Sequence, residues 1–562
     1  VAKRFDIYLD GEGYLLDPFG GVNGSYRKEE QQAYLGDDPG RIWRDWPQTS
    51  WHQGERLKKF LTEEQMTSRF QFDDGAGIDV AHWGEVRLQP ALTMIHAAAG
   101  QTTCASCITR EGDVALIGLT AGTVARFTAG AYVNSTAPSG SGVVSDLTAH
   151  GSRIYCARGA VNYSDDKGAT WSVMAGAAYT TATHVSVIGS DVIVASADGV
   201  YNHTAAEYIA AGQVVTDMIE HKDDLYWLQD RRIYRWTGKS WYCFDKLPEG
   251  FIGSQLVSYE SNIWVLGSFK IQSNSRGAVY VLIGGNRGHL YTLGEEQSGA
   301  FPIKAACGYV ADLFFQSPGR GGADRFDLTY GGLSPGPAVA APSTLPVGGM
   351  VCQDGYLLMA LSDGIYAADI DSPSAFVTTG WFTSPEWDFG FAENQKILRG
   401  LRVEHRALLA GESIAIAYST DGGTTYTTAA TSNVVGAVSL ETTLTDVNFV
   451  NLKLKATLVG PGTSTPVLTK ILAQARALQP QKWQWDIRLL ADKVATRSGR
   501  TGKGYTALAH LEAAKAKRTP VSFVDTREPA DITRYVFIDN VEEIGHFADR
   551  RSLRLGVKLL EV

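Results

Sequence analysis

Six cysteines in 562 residues are far too few for a disulfide scaffold, so this chain must be held together by burial. Cys104-x-x-Cys107 supplies half of a zinc site, but no second pair or close histidine follows it. Four ligands are needed to close a tetrahedron, so no metal is expected. Cys156, Cys243 and Cys352 lie among strand-like apolar residues and read as small buried hydrophobes. No run of 18 apolar residues occurs, which excludes a bilayer-spanning helix. The 51 basic residues are outnumbered by 60 acidic ones, giving a net charge of −9, so nucleic acid is not an expected partner. The start, Val1-Ala2-Lys3-Arg4-Phe5-Asp6, alternates in polarity where a secretory signal needs an uninterrupted apolar stretch. Secretory export is disfavoured unless a signal has been removed.

What the chain does have is glycine, 60 residues against 19 prolines, and 44% hydrophobic residues. That composition is globular and rich in turns, and the length suits three to five domains. Between about 100 and 375 one pattern returns. Apolar strands begin near Asp113, Arg153, Asp191, Asp224, Asn262, Asp312 and Gly355, a period of roughly 40, which is that of four-stranded propeller blades. The stretch 214–245 shows the unit most plainly, as VVTDMIEH, DLYWLQD, RIYRWTG and SWYCFD joined by polar turns. The repeats predict a seven-bladed β-propeller over 96–380, with six or eight blades as alternatives. The fifth and sixth units are the least regular, with an insertion around Ser273 to Gly288 and a glycine run from Gly319 to Gly322. A strand from before the first blade, Glu85 to Leu88 or Leu92 to Ile95, is expected to close the ring.

The fold class expected is therefore mainly β, and the flanks differ from the propeller. Residues 1–95 lack the repeat, carry Trp43, Trp46, Trp51 and Trp83, and read as an amino-terminal attachment segment. Thr62 could cap a short helix there, with Gln65 at the capping-box position. Alternating strands over 381–479 predict a β-sandwich of about eight strands. Gln479-Pro480-Gln481 marks a linker, and 480–562 read as a small α+β docking domain whose one helix runs from Thr506 to Lys517.

Ser164, Asp166, Gly168 and Trp171 fit the Asp-box pattern S-x-D-x-G-x-x-W, and Ser419, Asp421, Gly423 and Tyr426 fit it with tyrosine for tryptophan. In such a turn the carboxylate accepts local N–H bonds, the glycine takes a positive φ, and the aromatic ring packs on the blade. The motif resembles the boxes of sialidases and other glycan-processing propellers, where they lie away from the catalytic centre, so both are read as structural turns. A sialidase would also need an arginine cluster and an Arg-Ile-Pro, which is missing. Arg231, Arg232 and Arg235 read as a solvated face. Gly499 to Gly504 fails the phosphate-loop pattern because Gly504 stands where Ser or Thr is required. Asp10 to Gly13 and Asp37-Asp38 lack the further ligands of a calcium loop. No catalytic residue and no cofactor are expected, and the chain is read as no enzyme.

A family resemblance enters with Ser68-Arg69-Phe70, Asp73 to Val80 and Gly84 to Pro90, which resemble the amino-terminal part of minor tail proteins of long-tailed bacteriophages. Thr383 to Gly390, Lys396 and the turn from Ser419 to Tyr426 look like the sandwich that follows the propeller in such proteins, and the unit from Trp483 to Val562 is similar to small tail-associated domains. The resemblance implies a structural virion protein of the tail tip, baseplate or fibres, made in the bacterial cytoplasm. It further implies an assembly as a ring or trimer with other tail proteins, and recognition of a host-surface glycan or protein. It carries over no catalytic residue. Tyr201, Trp236 and Trp241 are candidates to stack on sugar rings, though each also suits a blade core. The rival readings are a glycan-cleaving propeller enzyme and a secreted lectin-like protein, in which Asn23, Asn134, Asn162 and Asn202 would be glycosylation acceptors.

Overall fold

The protein is described by a computed structural model that covers residues 7–9, 12–16, 22–26, 43–51, 54, 71–101, 104–109, 111–176, 179–271, 274–283, 290–298, 303–316, 322–329, 332–339, 347–389, 395–477, 483–495, 501–502, 504–517, 520–525, 533–546 and 553–561. The expected helix at Thr62, Ser68 to Phe70 and Asp37-Asp38 lie outside them. The described residues are mostly strands and form two units, one built of 44–393 and 397–475, the other of 1–43, 394–396 and 476–562.

The larger unit holds a seven-bladed propeller. Each blade is an antiparallel sheet of four strands, and the seven apolar runs read from the sequence are the second strands of the seven blades. The run at Asp224–Gln229 shows why they are apolar throughout. Leu225 and Trp227 pack against the preceding blade, while Tyr226 and Leu228 pack against the following one. A strand buried on both faces cannot alternate in polarity. Seven apolar clusters fill the seven gaps between blades, the last joining Leu358 and Ile365 back to Ala115 and Phe127 of the first. The irregular fifth unit is a blade with lengthened strands, Asn262–Ile271 and Asn274–Ile283, paired along their whole length.

The turn before the second strand is tight in several blades. Lys222 and Asp223 both take positive φ there, the geometry of a two-residue hairpin turn that matches strand twist. Glu260, Val310 and Asp354 do so at the equivalent turns.

The ring is closed by Ala91–Ala97, the later of the two expected candidates. This strand lies antiparallel to Gly364–Asp369 as the outermost strand of the seventh blade, with Ala367 opposite Thr93. It also pairs in parallel with the sixth blade, Ala338 opposite Ala91.

Residues 1–95, read from the sequence as one segment, are shared among five of the described sheets, one of them the propeller sheet that Ala91–Ala97 enters. The sandwich has a five-stranded sheet with Asp74–Ala76 at its edge and a four-stranded sheet with Trp43–Gln48 at its edge. Trp51, Phe72, Ile78, Val86 and Leu88 are buried in its core, which explains why this stretch cannot stand apart. The smaller unit takes Ile7–Leu9, Glu12–Leu16 and Val22–Tyr26 into the sheet of Trp483–Ala495, Val521–Asp525, Thr533–His546 and Leu553–Glu561. Because Glu12–Leu16 pairs with both Ile7–Leu9 and Trp483–Ala495, six of its strands close on themselves as a barrel. The helix spans Gly504–Lys517, and it buries Ala507, Leu511 and Ala514 in the same core, with Leu508 packed against it. Among the described residues no helix is long and apolar enough to cross a membrane.

Candidate functional site

Both Asp-box turns fold the same way. Ser164 Oγ donates to Asp166 Oδ1 at 2.7 Å and accepts from the Gly168 N–H at 2.8 Å, while Asp166 accepts from the Thr170 N–H and hydroxyl. Ser419 donates to Asp421 at 2.6 Å, and Asp421 accepts from the Thr425 N–H and hydroxyl in the same pattern. Gly168 has φ +81 and Gly423 φ +96, and a Cβ on Gly168 would meet Leu116 Cδ2 at 2.7 Å. The carboxylates are thus spent on their own turns. Burial works against ionisation of Asp166, but the Thr170, Ser164 and Ala169 donors outweigh it and hold its pKa down to about 2. Bonds from Ser419 and Thr425 put Asp421 well below the usual carboxylate range.

The first box also joins two blades. Trp171 Nε1 donates to Thr136 Oγ1 at 2.9 Å, Thr136 donates to the Gly168 carbonyl, and Lys167 pairs with Asp113 and Glu111 of the preceding blade. The second lies in the sandwich, at the end of Ser413–Ser419, with the Lys455 ammonium 5.6 Å from the Tyr426 ring.

The three arginines of the fourth blade do not converge on a ligand. Arg235 pairs with Asp224, Arg231 donates to the Leu247 carbonyl, and Arg232 is exposed. Tyr201 and Trp236 are blade core, whereas Trp241 is 40% exposed and leans on Trp227 and Tyr234. Cys243 is exposed on an outer strand, contrary to its apolar reading, because outer strands bury little of their surface. Cys307 and Cys352, on inner strands of neighbouring blades, bring their sulfurs to 3.1 Å. Among the described residues no group of three or more His, Cys, Asp or Glu is arranged to hold a metal.

Two constellations escaped the sequence reading. The first lies on the inner strands. Asp146, His184 and Asp217 occupy the same register in consecutive blades, opposite Ala157, Ala195 and Leu228. Asp146 accepts from the N–H of Val185 in the next blade at 2.8 Å, and Asp217 from Leu256 in the next at 2.6 Å. Each carboxylate therefore latches an inner strand to its neighbour, and His184 Nε2 stands 3.7 Å from Asp217. Burial raises the pKa of both carboxylates, Asp217 to about 6, with His184 opposing the shift. Only the blade alignment could have revealed this layer, since the three residues are about 35 apart in sequence.

The second is a cavity of about 210 Å³ beside the sixth and seventh blades, bounded also by Asp79, Ala81, Gln89 and Pro90 just before the closing strand. Arg325 stands at its wall. Its Nε donates to Asp312 at 2.8 Å, and its Nη1 is 3.7 Å from Asp79. Tyr309 donates its hydroxyl to Asp371 at 2.7 Å. Burial raises the Asp312 pKa against the pull of Arg325, and the neighbouring carboxylates raise that of Arg325 against its own burial. Phe314, Val310 and Ile370 supply apolar wall.

No protein-family model and no curated protein matches the chain. Among solved structures it is similar to the computationally designed Ika8 protein, at 12% identity and a TM-score of 0.34 over 50% of this chain and 99% of that one. It is also similar to the Neurospora crassa Pan2 WD40 domain, at 10% identity and 0.38 over 51% and 96%, and to the Myceliophteria thermophila Cps50 (Swd1) β-propeller domain, at 11% and 0.36 over 50% and 99%.

Proposed function

We propose that this chain is a structural and recognition protein of a bacteriophage tail tip or baseplate, with no catalytic role of its own. The propeller is the display body that faces the host surface and binds a glycan or protein there. The remaining units bind other tail proteins in a homo-oligomeric ring or trimer, within the virion. One observation carries the reading. Of the stretches that resemble minor tail proteins, 73–80 and 84–90 lie some 300 residues before 383–389 and 419–426 in sequence, yet all of them contribute to one sandwich. The Asp73 N–H donates to the Thr383 carbonyl at 2.7 Å, Lys453 pairs with Asp73, and Val86 and Leu468 exchange backbone bonds. That these resembling stretches meet in one module supports the reading, while the resembling unit that begins at Trp483 is a separate one.

Antibody labelling of the chain on gradient-purified particles from its source, viewed by electron microscopy, tests the proposal. Label confined to one end of a tail is the expected result. Unlabelled particles with the chain free in the lysate would overturn it. Release of reducing sugars from host polysaccharide by the purified protein would replace it with the glycan-cleaving reading.

A further inference from the structure

The gap between the sixth and seventh blades is where the ring closes, and it is fastened at two places. At its outer edge Ala91–Ala97 pairs with both blades, in parallel at Ala338 and antiparallel from Gly364 to Ala367. At its inner edge the innermost strands of the two blades, Ala306–Tyr309 and Val347–Gln353, lie side by side, and each carries one cysteine. The backbone of each is held in its own sheet, Cys307 opposite Phe314 and Cys352 opposite Leu357. Their side chains enter the same apolar cluster with the sulfurs 3.1 Å apart. A disulfide bond is about 2.05 Å long, so a shift of about 1 Å joins them. Cys104 and Cys243, by contrast, donate to oxygens, those of the Gln101 side chain and the Asp245 carbonyl.

Access orders the chemistry. Cys307 is partly exposed, whereas Cys352 is 7% exposed and burial pushes its thiol well above the ordinary range. Cys307 is therefore the thiol that a small oxidant such as a peroxide meets first, and Cys352 is the one that resolves the product. In the first step the Cys307 sulfur attacks one oxygen of hydrogen peroxide, the O–O bond breaks, and hydroxide leaves with the thiol proton as water. Cys307 is then a sulfenic acid. In the second step the Cys352 sulfur attacks the Cys307 sulfur, the S–O bond breaks, and a second water leaves with the Cys352 proton. Two thiols are oxidised to one disulfide, and one hydrogen peroxide is reduced to two waters.

We propose that Cys307 and Cys352 are an oxidative modification site, a dithiol that a peroxide converts into a disulfide across the closing gap of the propeller. In a reducing surrounding the gap is fastened by packing and by the shared strand alone. In an oxidising one a covalent clasp joins positions 45 residues apart and restricts the unfolded chain, so the closed ring gains stability. This chemistry needs no virion, so it and the reading above can fail separately.

The test treats the full-length chain with hydrogen peroxide, blocks the remaining thiols with N-ethylmaleimide in denaturant, and maps linked peptides by mass spectrometry. Melting is followed by calorimetry before and after. Cys243 is exposed, so a parallel sample carries Cys243→Ser to remove links between chains. The expected result is a peptide joining Cys307 to Cys352 and a melting temperature raised by about 5 °C, which dithiothreitol returns to its starting value. Cys307→Ala and Cys352→Ala each abolish both the link and the gain. If either variant does not fold, the chain with both cysteines, melted oxidised and after dithiothreitol, gives the same reading. Six unlinked thiols, a sulfenic or sulfinic acid at Cys307 that Cys352 leaves unresolved, or a link that does not move the melting temperature overturns the proposal.

Discussion

The propeller and the sandwich of the larger unit are both β-sheet bodies with dry apolar cores, yet they are assembled in opposite ways. Six of the seven gaps between blades are filled by residues from consecutive repeats, such as Ile193 and Ala195 against Leu225 and Trp227. The sandwich core is filled from distant stretches, with Phe72 and Trp51 packed on Phe382 and with Asp74–Ala76 paired to Thr379–Thr383. The seventh blade belongs with the sandwich in this respect, because Ala91–Ala97 arrives from outside the repeat to complete it. Locally repeated contacts are inexpensive in chain entropy, whereas closing loops of some 300 residues must be offset by deep burial.

That contrast can be broken at its joints. Leu92 is 3% exposed in the cluster between the sixth and seventh blades. Leu92→Asp buries an unpaired charge there and is expected to destabilise by on the order of 4 kcal/mol in urea unfolding. If the ring held without its distant strand, the loss would be no more than a surface change gives, about 0.5 kcal/mol. Phe72→Ala removes a fully buried ring from the sandwich and is expected to cost about 3 kcal/mol by the same measurement. A negligible loss at Phe72 would mean that the 71–90 stretch adds little to the core it lines.

The same contrast explains what could be read from the sequence. The blades were legible because each second strand is buried on both faces and so is apolar without interruption, as in LYWL from Leu225 to Leu228. The closing strand was recognisable only as one of two candidates, since ALTMIHA is half exposed and has no neighbour to mark its register. The sharing of residues 1–95 among five sheets was not legible at all. Strands of two or three residues such as Asp74–Ala76 and Ile78–Asp79 carry no period, and pairing across 300 residues leaves no local trace. The Asp-box turns were legible to the residue because their chemistry lies within eight positions. The cavity was not, because Gln89, Asp312, Arg325 and Asp371 meet only after the ring has closed.

A second contrast, between carboxylates, is read by pH. Asp217 on the inner ring keeps its proton more tightly folded than unfolded, near pH 6 against an ordinary value near 4. Its contribution to stability is therefore full below about pH 4 and lost as the pH rises through about 6. Asp217→Asn should remove a pH-dependent component on the order of 2 kcal/mol from melting curves taken between pH 4 and 7. An unchanged pH profile would show that burial does not hold the proton on Asp217 in the folded chain.

Asp166 has the opposite sign and the smallest effect. Its turn donors favour the carboxylate, so its contribution is present above about pH 4 and lost as the pH falls towards about 2. Asp166→Ala at pH 7 should cost about 1 kcal/mol, comparable to an exposed helix cap, because water screens much of the turn. The sandwich box provides the control. Asp421 makes the same bonds, but its turn does not join two blades, so Asp421→Ala should cost less than Asp166→Ala in urea unfolding. If the two losses were equal, the bridge from Trp171 and Lys167 to the first blade would contribute nothing, and the box would be only a local turn wherever it occurs.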